Sequence, residues 1–149
     1  MVSVDHQPAA TVDGGPLTGG CACGAVRYRV AAGPRDVAYC HCRLCQKTSG
    51  APTLAWASVP IESFAYTEGA PRVYRSSDWG ERRFCGECGT QLEFRRSRGA
   101  RSVDITLASL DDPEALRPAY HVWTASRISW FDTADDLPRH PDEPAGALE

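Results

Sequence analysis

The sequence predicts a mainly β protein, a single compact, zinc-stapled β-sheet domain. Three observations carry that expectation. Apolar side chains recur with period two, as strands with one buried face require. Helix signals are scarce. Seven cysteines, among 149 residues, gather in three turn-like clusters. A chain of this length makes one domain with a buried core.

Residues 1–17 hold few large apolar side chains but include Pro8, Gly14, Gly15 and Pro16, so a disordered leader is expected there. One domain is expected over 18–138, and a flexible tail over 139–149, where Pro141, Pro144 and Gly146 fall. The first strand signal is Val26, Tyr28 and Val30 alternating with Ala25, Arg27 and Arg29. Further strands are expected at 37–40, 53–59, 72–75, 83–84, 92–95, 103–107 and 121–124, separated by Gly and Pro clusters. The best helical segment is 112–116, where Asp111 or Asp112 can cap and Pro113 suits the first helical position.

Sixteen basic and nineteen acidic residues leave a net charge of −3, which gives no general electrostatic case for a nucleic-acid partner. The charge is uneven. Between Arg72 and Arg101 eight arginines face four acids, and from Val103 onward ten acids face three arginines. The basic stretch reads as a solvated strand face, with recognition of an acidic small molecule as its functional alternative. No apolar run reaches the roughly 20 residues that span a bilayer, because the segment 50–61 is broken by Pro52 and Pro60. Asp5, His6, Pro8 and Asp13 stand where a signal peptide needs a basic and then an apolar region, so a cytoplasmic location is expected. In that compartment an odd number of cysteines argues for metal ligation over a disulfide framework.

The clusters are Cys21-Ala22-Cys23-Gly24, Cys40-His41-Cys42-Arg43-Leu44-Cys45 and Cys85-Gly86-Glu87-Cys88-Gly89. In a C-x-x-C-G knuckle both sulfurs face one ion while glycine accepts positive φ. Cys85 and Cys88 have that form, and Cys21 with Cys23 can supply the opposing half of a closed four-thiolate site. Cys40, Cys42 and Cys45 then form a three-thiolate set with an open fourth corner, the pattern of a catalytic metal. Spacing also permits a competing partition, a ribbon of Cys42 and Cys45 with Cys85 and Cys88, leaving Cys21, Cys23 and Cys40 over. Strand alternation turns His41 away from an ion between its neighbours, as a supporting or surface group. His121, among Tyr120, Val122 and Trp123, reads as a packed core residue, and Trp56, Trp79, Trp123 and Trp130 as core first and pocket second.

The runs GGCACGAVRYRV, CHCRLCQKTSGAP, FCGECGTQLEF and HVWTASRISWF, with DDLPRH after them, resemble the glutathione-dependent formaldehyde-activating enzyme family, which includes centromere protein V. The resemblance covers about residues 18–140. It implies a complex β fold resembling methionine sulfoxide reductase B and the Rab-nucleotide-release chaperone. It also implies two zinc ions per chain: a structural one on Cys21, Cys23, Cys85 and Cys88, and a catalytic one on Cys40, Cys42 and Cys45. The implied activity is that of a carbon–sulfur lyase joining a small-molecule thiol, glutathione or an analogue, to an aldehyde, as in formation of S-(hydroxymethyl)glutathione from formaldehyde. Arg43, Arg82 and Arg83 are candidates for pairing substrate carboxylates. The rival expectation is a non-catalytic, zinc-stabilised binding module that contacts a protein or nucleic acid through its arginine-rich stretch.

Overall fold

The computed structural model describes residues 15–31, 33–34 and 36–144. Among these the chain forms ten strands: β1 (Leu17–Gly20), β2 (Arg27–Val30), β3 (Asp36–Cys40), β4 (Leu54–Pro60), β5 (Phe64–Glu68), β6 (Arg72–Arg75), β7 (Gly80–Phe84), β8 (Gln91–Arg96), β9 (Ser102–Thr106) and β10 (Tyr120–Val122). One α-helix, α1 (Arg43–Ser49), follows β3. The strands make a three-stranded sheet, β1-β2-β5, and a seven-stranded sheet, β10-β3-β4-β9-β8-β7-β6. All pairs are antiparallel except β10 with β3.

The period-two pattern explains how the sheets meet. Tyr28 and Val30 of the small sheet and Ala57, Val59, Leu92, Val103 and Ile105 of the large one are buried in one core, completed by Leu107, Leu110 and Leu116. The alternate residues of the large sheet face the other way. Asp36, Ser58, Asp104, Phe94 and Arg82 are successive register partners across β3, β4, β9, β8 and β7, so one row of side chains crosses five strands. At about 4.8 Å per strand that row is about 19 Å long. It has a carboxylate at one end, a second at its centre and a guanidinium at the other end.

β1 and β5 were not among the expected strands, and α1 was expected as a turn. β1 reads as linker because of its two glycines, yet Gly19 is required by contact: a Cβ there would sit 2.4 Å from the Tyr28 hydroxyl. The segment expected as a short helix is a single 3-10 turn, Pro113–Ala115, with the Asp112 carboxylate accepting from the Glu114 N–H at 3.1 Å. It ends because buried Leu116 returns to extended backbone. Most of the expected leader, 1–14, and the end of the tail, 145–149, lie outside the described residues. Leu17 already belongs to β1, and Arg139 and His140 run beside His121, with the His140 N–H donating to its carbonyl at 2.9 Å.

The tryptophans correct a sequence expectation. Trp79 and Trp130 are 59% and 76% exposed, and Trp56, Trp79 and Trp123 line a cleft on the open face of the large sheet. The core between the sheets is filled instead by aliphatic side chains and Tyr28.

The arginine-rich stretch is divided by strand alternation. Arg83 and Arg95 are committed to Glu93, a fully buried carboxylate, at 2.7 and 2.6 Å. Such a charge is tolerable only because both guanidiniums satisfy it.

Candidate active site

Cys21 and Cys23 lie in the β1–β2 turn, Cys85 and Cys88 in the β7–β8 turn, and the structure brings all four sulfurs within 4.8 Å of one another. Cys21 and Cys23 sulfurs are 3.5 Å apart and Cys23 and Cys85 sulfurs 3.8 Å. A tetrahedron with metal–sulfur bonds of about 2.3 Å has sulfurs about 3.8 Å apart, so the set fits a thiophilic ion such as zinc. Gly24 and Gly89 close the two turns at φ +80° and +77°, with N–H donation to the Cys21 and Cys85 carbonyls. The Val26 N–H donates to the Cys21 sulfur. The Thr90 hydroxyl and N–H hold the Cys88 thiol down at about 5. Cys21 and Cys85 are also core residues, so this site sits where the two sheets join.

Cys40, Cys42 and Cys45 form a second set, again within 4.8 Å. Cys40 ends β3, Cys42 caps α1 by accepting from the Cys45 N–H at 3.2 Å, and Cys45 lies in the first helical turn. Sequence reasoning missed this helix because the cap is a sulfur in place of the usual Ser, Thr, Asp or Asn. Cys40 and Cys45 hydrogen bonds hold the Cys42 thiol far below its ordinary value. No described pair of sulfurs is a disulfide. Three sulfurs leave a tetrahedral ion one exchangeable corner.

A buried chain of polar groups supports this loop. His41 and His121 are almost fully buried, with His41 Nε2 2.8 Å from His121 Nδ1, and His121 Nε2 3.1 Å from the Asp135 carboxylate. With neutral rings, Asp135 accepts from His121 Nε2–H and His121 Nδ1 accepts from His41 Nε2–H. Burial, then the neighbouring His121, pushes the His41 pKa down. The Gln46 amide donates to the carbonyls of His41 and Ser126, tying α1 to the same network. His121 is a packed residue as expected, and His41 is buried, not at the surface. Their pairing across 80 positions leaves no local sequence signal.

The three sulfurs line one wall of the open-face cleft, whose volume is about 780 Å³. Arg82 stands beside them, its Nη2 donating to the Cys45 sulfur at 3.5 Å, and Trp56, Phe94, Asp36, Asp104 and Glu143 lie among the other lining residues. Of the three candidate arginines, Arg43 is turned to Gln46 at 2.6 Å and Arg83 to Glu93, while Arg82 lines the cleft.

Burial, opposed by a Ser58 hydrogen bond and reinforced by Asp36, Glu143 and Glu93, pushes Asp104 up to about 6. Its raised folded value means that its protonated form favours folding below about pH 4 and that this contribution is lost as pH rises through 6. Asp104→Asn keeps an oxygen for Ser58 and removes the charge. It is expected to stabilise the protein at pH 7 by about 2 kcal/mol, with little gain at pH 4, the bound being about 1.4 kcal/mol per pH decade of displacement. Denaturant unfolding of both proteins from pH 4 to 7 checks this. The difference between them is the readout, because acid also weakens thiolate ligation in both.

Fold and site define a small two-sheet β protein with two cysteine sets suited to metal ions, one closed between sheets and one opening on a cleft. The chain belongs to the glutathione-dependent formaldehyde-activating enzyme family, whose model matches residues 16–126. An uncharacterized lyase of Schizosaccharomyces pombe is 31% identical over 81 residues, which cover 54% of this chain and 58% of that protein. A Halomonas elongata protein, named provisionally a glutathione-dependent formaldehyde-activating enzyme, is 29% identical over 126 residues, covering 78% and 80%. A crystal structure of a Rhodobacter sphaeroides protein shares the fold, with a TM-score of 0.54 at 23% identity over 63% of this chain and 87% of that one. No helix among the described residues is long and apolar enough to cross a membrane.

Proposed function

We propose that the protein is a zinc-dependent carbon–sulfur lyase of the cytoplasm that acts on the adduct of a small-molecule thiol, glutathione or an analogue, with an aldehyde. Its domain spans 18–138, in a fold related to methionine sulfoxide reductase B and the Rab-nucleotide-release chaperone. Cys21, Cys23, Cys85 and Cys88 hold a structural zinc, and Cys40, Cys42 and Cys45 a catalytic one. The observation that carries this reading is a three-sulfur set that lines a cleft, separate from a set of four sulfurs that does not.

Bound at the three-sulfur set, zinc supplies Lewis acidity that favours the thiolate form of an incoming thiol. The chain's own groups do the rest. Cys40, Cys42 and Cys45 fill three donor positions and leave one for substrate, and the His41–His121–Asp135 chain holds their loop. Trp56 and Phe94 give the cleft apolar lining. In the synthetic direction the thiol sulfur bonds to the aldehyde carbon, the carbonyl π pair moves to oxygen, and the proton lost by the thiol ends on that oxygen. The lyase direction reverses each step. Because uncatalysed addition is already fast, orientation and thiolate formation are the protein's main contributions. The commitment of Arg83 and Arg95 to Glu93 breaks up the basic surface that a binding module would use.

Native mass spectrometry with stepwise chelation, coupled to exchange NMR of formaldehyde with a panel of thiols, tests the proposal. Two zinc ions per chain are expected, the more labile one leaving together with thiol-dependent exchange catalysis. One tightly held zinc, with no thiol-dependent catalysis, overturns it.

A further inference from the structure

The open-face cleft runs on into a second, smaller hollow of about 360 Å³, lined by Arg75, Asp78, Trp79, Arg96, Ser97 and Arg98. Trp79 and Arg96 line both. A file of stacked groups joins this basic end to the three sulfurs. The Arg82 guanidinium, which donates to the Cys45 sulfur, lies 5.3 Å from the Phe94 ring centre. The Phe94 and Trp79 rings meet edge to face at 5.7 Å, and the Arg96 guanidinium carbon is 5.9 Å from the Trp79 ring centre. Gly80 makes room for the file, since a Cβ there would sit 2.5 Å from the Phe94 ring.

Arg96 has donors to spare. It is exposed, and unlike Arg83 and Arg95 its side chain forms no ion pair or hydrogen bond among the described residues. Contact with Trp79 occupies one face of the guanidinium and leaves the in-plane N–H bonds for an acceptor. Those bonds form the fork that fits a carboxylate. Arg98 is exposed and likewise unpaired, and Asp78, the one acid of the hollow, gives its backbone carbonyl to Arg75 at 3.0 Å. Shielding of Trp79 by Arg96 would by itself require neither the hollow nor Arg98. The acids of the cleft stand on other strands, Asp36 on β3 and Asp104 on β9, so the cleft favours an anion at its β7–β8 end.

Strand register sets the reach. Arg82 pairs with Phe94 and Gly80 with Arg96, which puts Arg96 one diagonal step from Arg82 on the same face. Such a step is about 7–8 Å, roughly the span of two extended residues. A thiol held by its sulfur beside Cys45 therefore meets Arg96 only if its carboxylate is carried at least one residue beyond the residue that bears the sulfur.

We propose that Arg96, seated on Trp79, is a specificity-determining residue for the thiol substrate, binding the terminal carboxylate of a cysteine-containing peptide at the basic end of the cleft. The inference rests on the thiol-binding reading above and adds to it where the tail of the thiol lies. Glutathione, whose cysteine stands between two carboxylate-bearing residues, belongs to this class. A short mercaptocarboxylate does not.

Calorimetric titration of the zinc-loaded full chain, at low ionic strength, with glutathione, 3-mercaptopropionate and 2-mercaptoethanol tests this. Arg96→Met is expected to weaken glutathione binding by about fivefold or more and to leave both short thiols within about twofold of wild type. Arg96→Lys, which keeps the charge and loses the fork, is expected to recover only part of that loss. Arg72→Met removes an equal charge from β6 outside the hollow and is expected to bind glutathione within about twofold of wild type. Unchanged glutathione binding in Arg96→Met overturns the proposal. So does an equal loss of glutathione and 3-mercaptopropionate in that variant, or a matching loss of glutathione in Arg72→Met, because either is the mark of net charge acting at a distance. If the zinc-loaded wild type binds none of the three thiols, the thiol-binding reading fails and this inference with it. Thiol binding that is indifferent to Arg96 sinks the inference alone.

Discussion

Cys88→Ala is expected to yield insoluble or non-cooperatively unfolding protein. Cys88 is exposed and contributes almost nothing to the core by its own burial, so the predicted loss comes from what its sulfur holds in place. The four-sulfur set joins the β1–β2 turn to the β7–β8 turn, and its members Cys21 and Cys85 are packed in the core shared by the two sheets. Structural zinc in small domains contributes on the order of 10 kcal/mol or more, comparable with the whole stability of an average domain, about 5–15 kcal/mol. Three remaining thiolates would hold a zinc ion far less tightly, and the two sheets would then be joined by their shared core alone. Soluble yield, far-UV circular dichroism and thermal melting check the result. A soluble variant melting cooperatively within about 5 °C of wild type would contradict a structural role for this set.

The contrast between legible and hidden features follows from how local each signal is. β6 was readable to the residue, because Arg72–Arg75 is bounded by Pro71 and by Ser76 and Ser77. β2, β4 and β9 were readable from alternation, since each has one face in the core. β1 was hidden because the closeness of Tyr28 to Gly19, which demands the glycine, is a tertiary fact. The cysteine spacings announced metal chemistry but left two pairings open. What separates the sulfurs into four and three is the distance between turns, which depends on strand order and not on spacing. The cleft was least legible of all. Its tryptophans resemble core residues in a sequence, and the row from Asp36 to Arg82 draws one residue from each of five strands.

Cys42→Ala is expected to have the opposite profile to Cys88→Ala: a folded protein with thiol-linked turnover reduced at least 100-fold. Cys42 is half-buried, lies outside the core cluster and sits at the N-terminus of a seven-residue helix. Its removal costs the cap on the Cys45 N–H, about 1 kcal/mol, or about 2–4 °C in a chain of this size. On the proposed mechanism the catalytic cost is larger, because two sulfurs would not hold a zinc ion in a defined open geometry and the substrate sulfur would lose its place. Cys42→Ser separates the two effects. A serine oxygen can accept from the same N–H, so the serine variant should recover most of the melting temperature while staying inactive and binding one zinc instead of two. If the alanine variant collapses as Cys88→Ala does, and serine fails to rescue its folding, then the three-sulfur set is a structural clamp. The chemistry would then have to be sought elsewhere in the cleft.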